Sequence, residues 1–180
     1  MLYKLVSWWF NSPRRFAGLG FAICVSLLLF AFYLESYQGL DPCPLCMAQR
    51  FAFVLVALVF LFYSFKSAST PIKLAYPAAL LGTCGFGIYL AGRHVWIQSL
   101  PADKVPACGP DFYFLFEAYP ATQAIKTMLM GSGNCASIDW RFLSLSIPQW
   151  TLLFFVALLV WGLAGFAYLW TQQKSHSPVN

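Results

Sequence analysis

The sequence predicts an all-α membrane protein: a four-transmembrane-helix bundle with a large outer loop that carries a short membrane-associated helix. Three observations predict it. Of 180 residues, 60% are hydrophobic and only 9% charged, too few charges to solvate a globule of this size. Four segments, Phe16–Leu34, Met47–Phe65, Leu74–Ala91 and Trp150–Trp170, are apolar over nearly the whole length of the roughly 20 residues that a helix needs to cross a bilayer. An open sheet would leave its edge N–H and C=O groups unpaired in lipid, and the strand-by-strand alternation of a barrel is missing from the sequence. At this length the chain, 1–180, reads as a single integral membrane domain with outer loops at 35–46 and 92–149.

Each element follows from its residues. Met1–Asn11, with Trp8, Trp9 and Phe10, suits an interfacial lead-in, because aromatic rings favour the headgroup level. Arg14-Arg15 before the first span looks like the basic start of a signal peptide. The apolar stretch is too long for one, however, and no Ala-x-Ala-like site follows, so an uncleaved span is expected. Thr70-Pro71 is expected to turn the loop between the second and third spans. Pro77, Gly82, Gly85 and Gly87 mark the third span as closely packed. In the large outer loop, Pro101, Pro106 and Pro110 around Cys108 predict extended, irregular chain. After the aromatic run Phe112–Phe116, Ala121–Met130 can form a short helix with Ile125, Met128 and Leu129 on one side, suited to lie on the membrane plane. Gly131-Ser132-Gly133 is expected to be a flexible joint just before Cys135.

Charge sets the orientation. Lys4, Arg14, Arg15, Lys66, Lys73 and Lys174 fall on one side without an acid. Glu35, Asp41, Asp103, Asp111, Glu117 and Asp139 all fall in the other two loops. The Lys/Arg excess marks the cytoplasmic face, so both termini are expected to be cytoplasmic. The net charge of +5 is then mostly a topology signal and gives no reason to invoke nucleic acid. Cys43, Cys46, Cys108 and Cys135 lie in the outward loops, where an oxidising space such as the bacterial periplasm would let two bridges persist. Cys24 and Cys84 sit in mid-span and read as inert small hydrophobes.

The chemistry concentrates at Asp41-Pro42-Cys43-Pro44-Leu45-Cys46. A Cys-x-x-Cys spacing lowers thiol pKa and favours a reversible disulfide. Pro42 and Pro44 should block helix before Cys46, leaving that sulfur near orphan N–H groups and the positive end of the helix dipole. Arg50, four residues on, projects from the same face and would hold Cys46 as an anion, unless it merely snorkels to headgroups. Two other readings of the pair are weaker. Zinc usually needs four close ligands, and the remaining candidates (Cys108, Cys135 and His94) include no second tight pair, so no resident metal is expected. A structural staple across two residues closes too small a loop to stabilise much. A Cys108–Cys135 bridge would stabilise more, about 3–4 kcal/mol on the loop-entropy model, so it reads either as a brace or as a redox pair in a loop with little packed structure. His94, following Arg93 just outside the third span, is either an interfacial hydrogen-bonder or a donor to a quinone carbonyl. No discontinuous helix pair or mid-membrane acid suggests a transporter.

Two stretches carry a family likeness that extends over nearly the whole chain. One is Pro42-Cys43-Pro44-Leu45-Cys46 with Arg50. The other runs from Gly131-Ser132-Gly133-Asn134-Cys135 through Asp139-Trp140-Arg141-Phe142-Leu143 to Pro148-Gln149-Trp150. In these the sequence resembles the disulfide bond formation protein B (DsbB) family. The cysteine order separates it from the vitamin K epoxide reductase-like family, in which the loop pair comes first. The resemblance implies a protein-dithiol:quinone oxidoreductase of the bacterial inner membrane, with its active cysteines periplasmic. A reduced DsbA-like thioredoxin-fold partner would attack Cys108–Cys135 at Cys108, and Cys135 would then attack Cys43. Cys46 would pass the electrons to ubiquinone or menaquinone near Arg50 and His94. Gln49 stands where some members carry an acid.

Overall fold

The computed structural model describes residues 12–66, 70–109, 112–138 and 140–175. The expected lead-in at Met1–Asn11 lies outside them, as does Pro110. In chain order the elements are α1 (Pro13–Gln38), α2 (Pro44–Lys66), α3 (Thr70–Gln98), α4 (Phe112–Ala118), α5 (Ala121–Met130), β1 (Arg141–Phe142), β2 (Leu145–Ser146) and α6 (Ile147–Ser175). α1, α2, α3 and α6 are each long and apolar enough to cross a membrane, so this is an all-α, multi-pass membrane protein. α1 packs on α2, α2 on α3, α3 on α6 and α6 back on α1, closing a four-helix ring.

The helices outrun the apolar segments that announce them. Hydropathy marks the part of a helix that lipid would solvate, whereas backbone hydrogen bonding continues until something stops it. α1 runs on to Gln38, where Gly39 takes a left-handed conformation (φ 64°) and its N–H caps back to Leu34 O. Glu35, expected in a loop, is therefore inside α1. Pro71 does not turn the loop; it lies in the first turn of α3, where a missing N–H costs nothing. α3 likewise continues through His94 to Gln98.

Aromatic rings fill the bundle at the end far from the cysteines. Phe16, Phe60, Tyr63 and Tyr76 are buried together, with Tyr63 and Tyr76 centroids 4.1 Å apart. Phe53 stacks on Phe155 at 4.0 Å in the middle. Of the small residues that promised close packing in α3, only Gly87 delivers it, with the Phe155 ring occupying the space of a Cβ; Gly82 and Gly85 face open space.

The outer loop is better packed than its proline and glycine content suggests. α5 forms over the expected residues, and it turns Ala124, fully buried, with Met128 and Leu129 toward the bundle, whereas Ile125 is exposed. Arg93 Nε donates to Met130 O at 2.8 Å, fastening the C-terminus of α5 to α3. Gly131 and Gly133 serve close approach. A Cβ on Gly131 would meet Leu45 at 2.7 Å and Ile97 at 2.8 Å, and the Gly133 N–H donates to Ala107 O at 3.0 Å. β1 and β2, unforeseen from the sequence, pair through Arg141 with Ser146 and Phe142 with Leu145.

Candidate active site

Cys43 is the residue before α2, and Pro44 is its first helical position. The Cys46 backbone N–H donates to Cys43 Sγ at 3.3 Å, and the Met47 N–H donates to Cys43 O at 3.2 Å. Cys43 thus acts as the helix N-cap, its sulfur taking one of the orphan donors of the first turn. The Cys43 thiol in turn donates to Cys46 Sγ at 3.1 Å. The helix end that sequence position assigns to Cys46 is therefore shared, with its nearest N–H spent on Cys43.

His94 and Cys135 complete the cluster. His94 is 2% exposed, with Nε2 3.1 Å from Cys135 O and 3.8 Å from Cys43 Sγ. A carbonyl only accepts, so Nε2 carries a proton. Nδ1, 3.0 Å from Gln49 Nε2, then accepts from the Gln49 amide, while Gln49 Oε1 accepts from the Thr151 hydroxyl at 2.7 Å. α2, α3 and α6 are tied together through this one amide.

Cys135 is buried in a 3-10 turn, Gly133–Ala136, where the Cys43 thiol, when it turns from Cys46, can donate to its sulfur. That bond pulls the Cys135 thiol down to about 6 against the opposing effect of burial, helped by the Ser132 backbone and the nearby His94. The same bond, together with that to Cys46 and burial, holds the Cys43 thiol well above the usual range. All six cysteines are free thiols. Cys108 is exposed, on a segment docked against the Cys135 turn by Gly133 and by Asn134 Nδ2, which donates to Gly109 O at 3.1 Å. The fold therefore gathers Cys43, Cys46, His94 and Cys135, and leaves Cys108 facing solvent.

Beside the thiols lies a cavity of about 560 Å³. Leu27, Phe30, Phe53, Trp150 and Phe154 supply apolar walls, and Cys46, Arg50 and Glu35 supply the polar part. Arg50 is not directed at a sulfur. Its guanidinium pairs with Glu35, donates to Ala31 O at 3.3 Å and lies over the Phe32 ring at 5.1 Å. Sequence reasoning counted Glu35 only as an outward acid and gave Thr151 no role. A clue to Glu35 was its position at the very end of a span, where an ionisable group asks for a partner. Thr151 carried no such signal, being one hydroxyl in an apolar helix.

The comparisons with known proteins identify the family. The family model described as "Disulfide bond formation protein DsbB" matches residues 13–165. A Marinobacter nauticus protein named "Disulfide bond formation protein B" is 47% identical over 152 residues, covering 84% of this chain and 90% of the relative. Proteins of the same name from Hahella chejuensis (48% over 155 residues, 84% of this chain and 92% of the relative) and Xanthomonas campestris pv. campestris (42% over 152 residues, 83% and 88%) are similar over the same extent. The chain belongs to the DsbB family of membrane disulfide bond formation proteins.

Proposed function

We propose that this protein reoxidises a DsbA-like thioredoxin-fold dithiol protein in the bacterial periplasm and passes the electrons through two cysteine pairs to a membrane quinone, ubiquinone or menaquinone. On this reading the cysteine end of the bundle faces the periplasm and both termini are cytoplasmic. One observation carries the proposal: Cys135, from the large loop, is buried against the Cys-x-x-Cys and His94, its carbonyl oxygen 3.1 Å from His94 Nε2, beside an apolar cavity lined by Cys43 and Cys46.

Electrons would enter where a sulfur is exposed. A partner thiolate attacks Cys108 of a Cys108–Cys135 disulfide, the S–S bond breaks, and Cys135 leaves. The backbone hydrogen bond at Ser132 favours the departing thiolate. Cys135 then attacks Cys43 of a Cys43–Cys46 disulfide, forming an inter-loop bridge and releasing Cys46 as a thiolate. The partner's second thiolate attacks its own sulfur in the mixed disulfide, departs oxidised and frees Cys108. Cys108 attacks Cys135, restoring their bridge, and Cys43 leaves and takes up a proton. Two electrons now reside on the Cys43/Cys46 dithiol.

The cavity fits a flat apolar ring. Its volume of about 560 Å³ falls within the roughly 300–1,000 Å³ of small-molecule sites, and the polar groups sit together on one part of the wall. Cys46, Arg50 and His94 would hold a quinone there, which supplies an acceptor for two electrons and two protons. Purified protein given a reduced thioredoxin-fold partner and a soluble quinone should consume both in equal amounts. Cys46→Ser should abolish quinone reduction; undiminished reduction by that variant would overturn the mechanism.

A further inference from the structure

We propose that Cys43, Cys46, Cys135 and His94 together form a site for one thiophilic divalent cation of the zinc class, open only when both cysteine pairs are reduced. Sequence spacing offers no such set, since the four residues come from α2, α3 and the loop before β1. The fold supplies it. The ligand atoms of Cys43, Cys46 and His94 all lie within 4.8 Å of one another, and Cys135 is buried beside them, its carbonyl oxygen 3.1 Å from His94 Nε2. Zinc–sulfur bonds of about 2.3 Å and zinc–nitrogen bonds of about 2.0–2.1 Å make tetrahedron edges of about 3.8 Å between sulfurs and about 3.6 Å from sulfur to nitrogen. The observed Cys43–Cys46 separation is 3.1 Å and Cys43–His94 is 3.8 Å. At these two separations shifts below an ångström would admit the cation, and with the Cys135 sulfur turned in as the fourth ligand the set becomes three cysteines and one histidine, a common structural zinc set.

The surrounding hydrogen bonds can adapt to it. Ligation requires the Nε2 lone pair of His94, so its proton must move to Nδ1, which then needs an acceptor. Gln49 provides one by turning its amide. Oε1 would accept from His94 Nδ1, and Nε2 would donate to Thr151 Oγ1, whose hydroxyl, released from Gln49, can donate to Pro148 O, 2.9 Å away. The cation replaces Cys135 O as the partner of Nε2. The cysteines release to solvent whatever thiol protons they still hold as they bind. A Cys43–Cys46 bridge removes two ligands and a Cys108–Cys135 bridge removes one, so the cation competes with oxidation. Occupancy would hold the reduced state and stop thiol exchange through the site.

Binding can be measured without partner or quinone, so its failure would not touch the electron-relay reading. Reduced full-length protein in detergent, freed of reductant without air, is titrated with Cd²⁺ while the sulfur-to-metal charge-transfer absorption is followed. Zn²⁺ is then measured by competition with a chromophoric chelator. One cation per chain is expected, with the absorption of three thiolates, and with Cys108→Ser unchanged. Cys135→Ser should remove about a third of the absorption. His94→Ala should keep the absorption but weaken Zn²⁺ binding by about tenfold or more, the scale on which even outer-shell changes act. Alkylation of the wild-type protein mapped by mass spectrometry gives a second readout that needs no variant: Cd²⁺ should protect Cys43, Cys46 and Cys135 but leave Cys108 reactive. Unweakened binding in both His94→Ala and Cys135→Ser, or Cys135 reacting as freely as Cys108 under Cd²⁺, would overturn the site.

Discussion

The Cys43 thiol neighbours both Cys46 and Cys135, and its influence on Cys135 sets a pH dependence. Cys135 is held at about 6 chiefly by the bond from Cys43, so above that pH it is a thiolate and below it the proton returns. An ordinary thiol would change near 8.5. The thiolate absorption of the reduced Cys46→Ser/Cys108→Ser double variant should show a step near pH 6. Adding Cys43→Ala removes the principal donor and should move that step upward; an unmoved step would mean that Cys43 is not the cause. The Arg50–Glu35 pair makes a second claim at this scale. Both side chains are mostly shielded, 15% and 26% exposed, so deleting one partner strands a charge in an apolar cavity. Allowing for that partial exposure, Arg50→Gln should cost about 1–3 kcal/mol in thermal unfolding. Adding Glu35→Gln should recover part of the loss, a coupling that a double-mutant cycle reads directly.

Among the elements, the junction between α5 and the Cys135 turn is the most constrained. Gly131 has φ 74° and ψ 160°, a region essentially confined to glycine, and a Cβ there would press on Leu45 and Ile97. Gly131→Ala should therefore cost about 1–3 kcal/mol and loosen the seat of Cys135, seen as faster amide exchange in α5 and at Gly133. The sequence could not reveal this seat. Gly131-Ser132-Gly133 has the composition of a mobile joint, and only the approach of Leu45 and Ile97 from α2 and α3 makes it a packed one. The β1–β2 hairpin was hidden for a related reason. Its turn residues Leu143 and Ser144 take φ 49° and 67°, where glycine or asparagine is the usual signal. Part of its support is long-range, with Ser146 Oγ donating to Gln98 Oε1 of α3 at 2.7 Å. What was legible rested on local chemistry: four apolar runs, prolines on either side of Cys43, and the span of α5. His94 was legible as a candidate but not as a buried one, because hydropathy ends α3 at Ala91 while the helix continues to Gln98.

On the scale of the whole molecule, the two ends of the bundle differ in kind. At one end Phe16, Phe60, Tyr63 and Tyr76 close the ring with buried aromatic packing. At the other the rings give way to thiols, an imidazole and a cavity of about 560 Å³. In the proposed relay, reducing equivalents enter at the thiol end, and the relay works only if that end meets the oxidising compartment. Charge argues that it does, since Arg14, Arg15, Lys66 and Lys73 lie at the aromatic end and Lys/Arg excess is retained in the cytoplasm. In intact spheroplasts an impermeant maleimide, applied after a permeant reductant has been washed away, should modify Cys108, whose thiol is exposed. A cysteine introduced by Lys66→Cys at the end of α2 should stay unmodified until the membrane is opened. The opposite pattern would put the thiols in the reducing cytoplasm, where a Cys108–Cys135 disulfide would not be maintained and the proposed route for electrons would have no oxidised state from which to start.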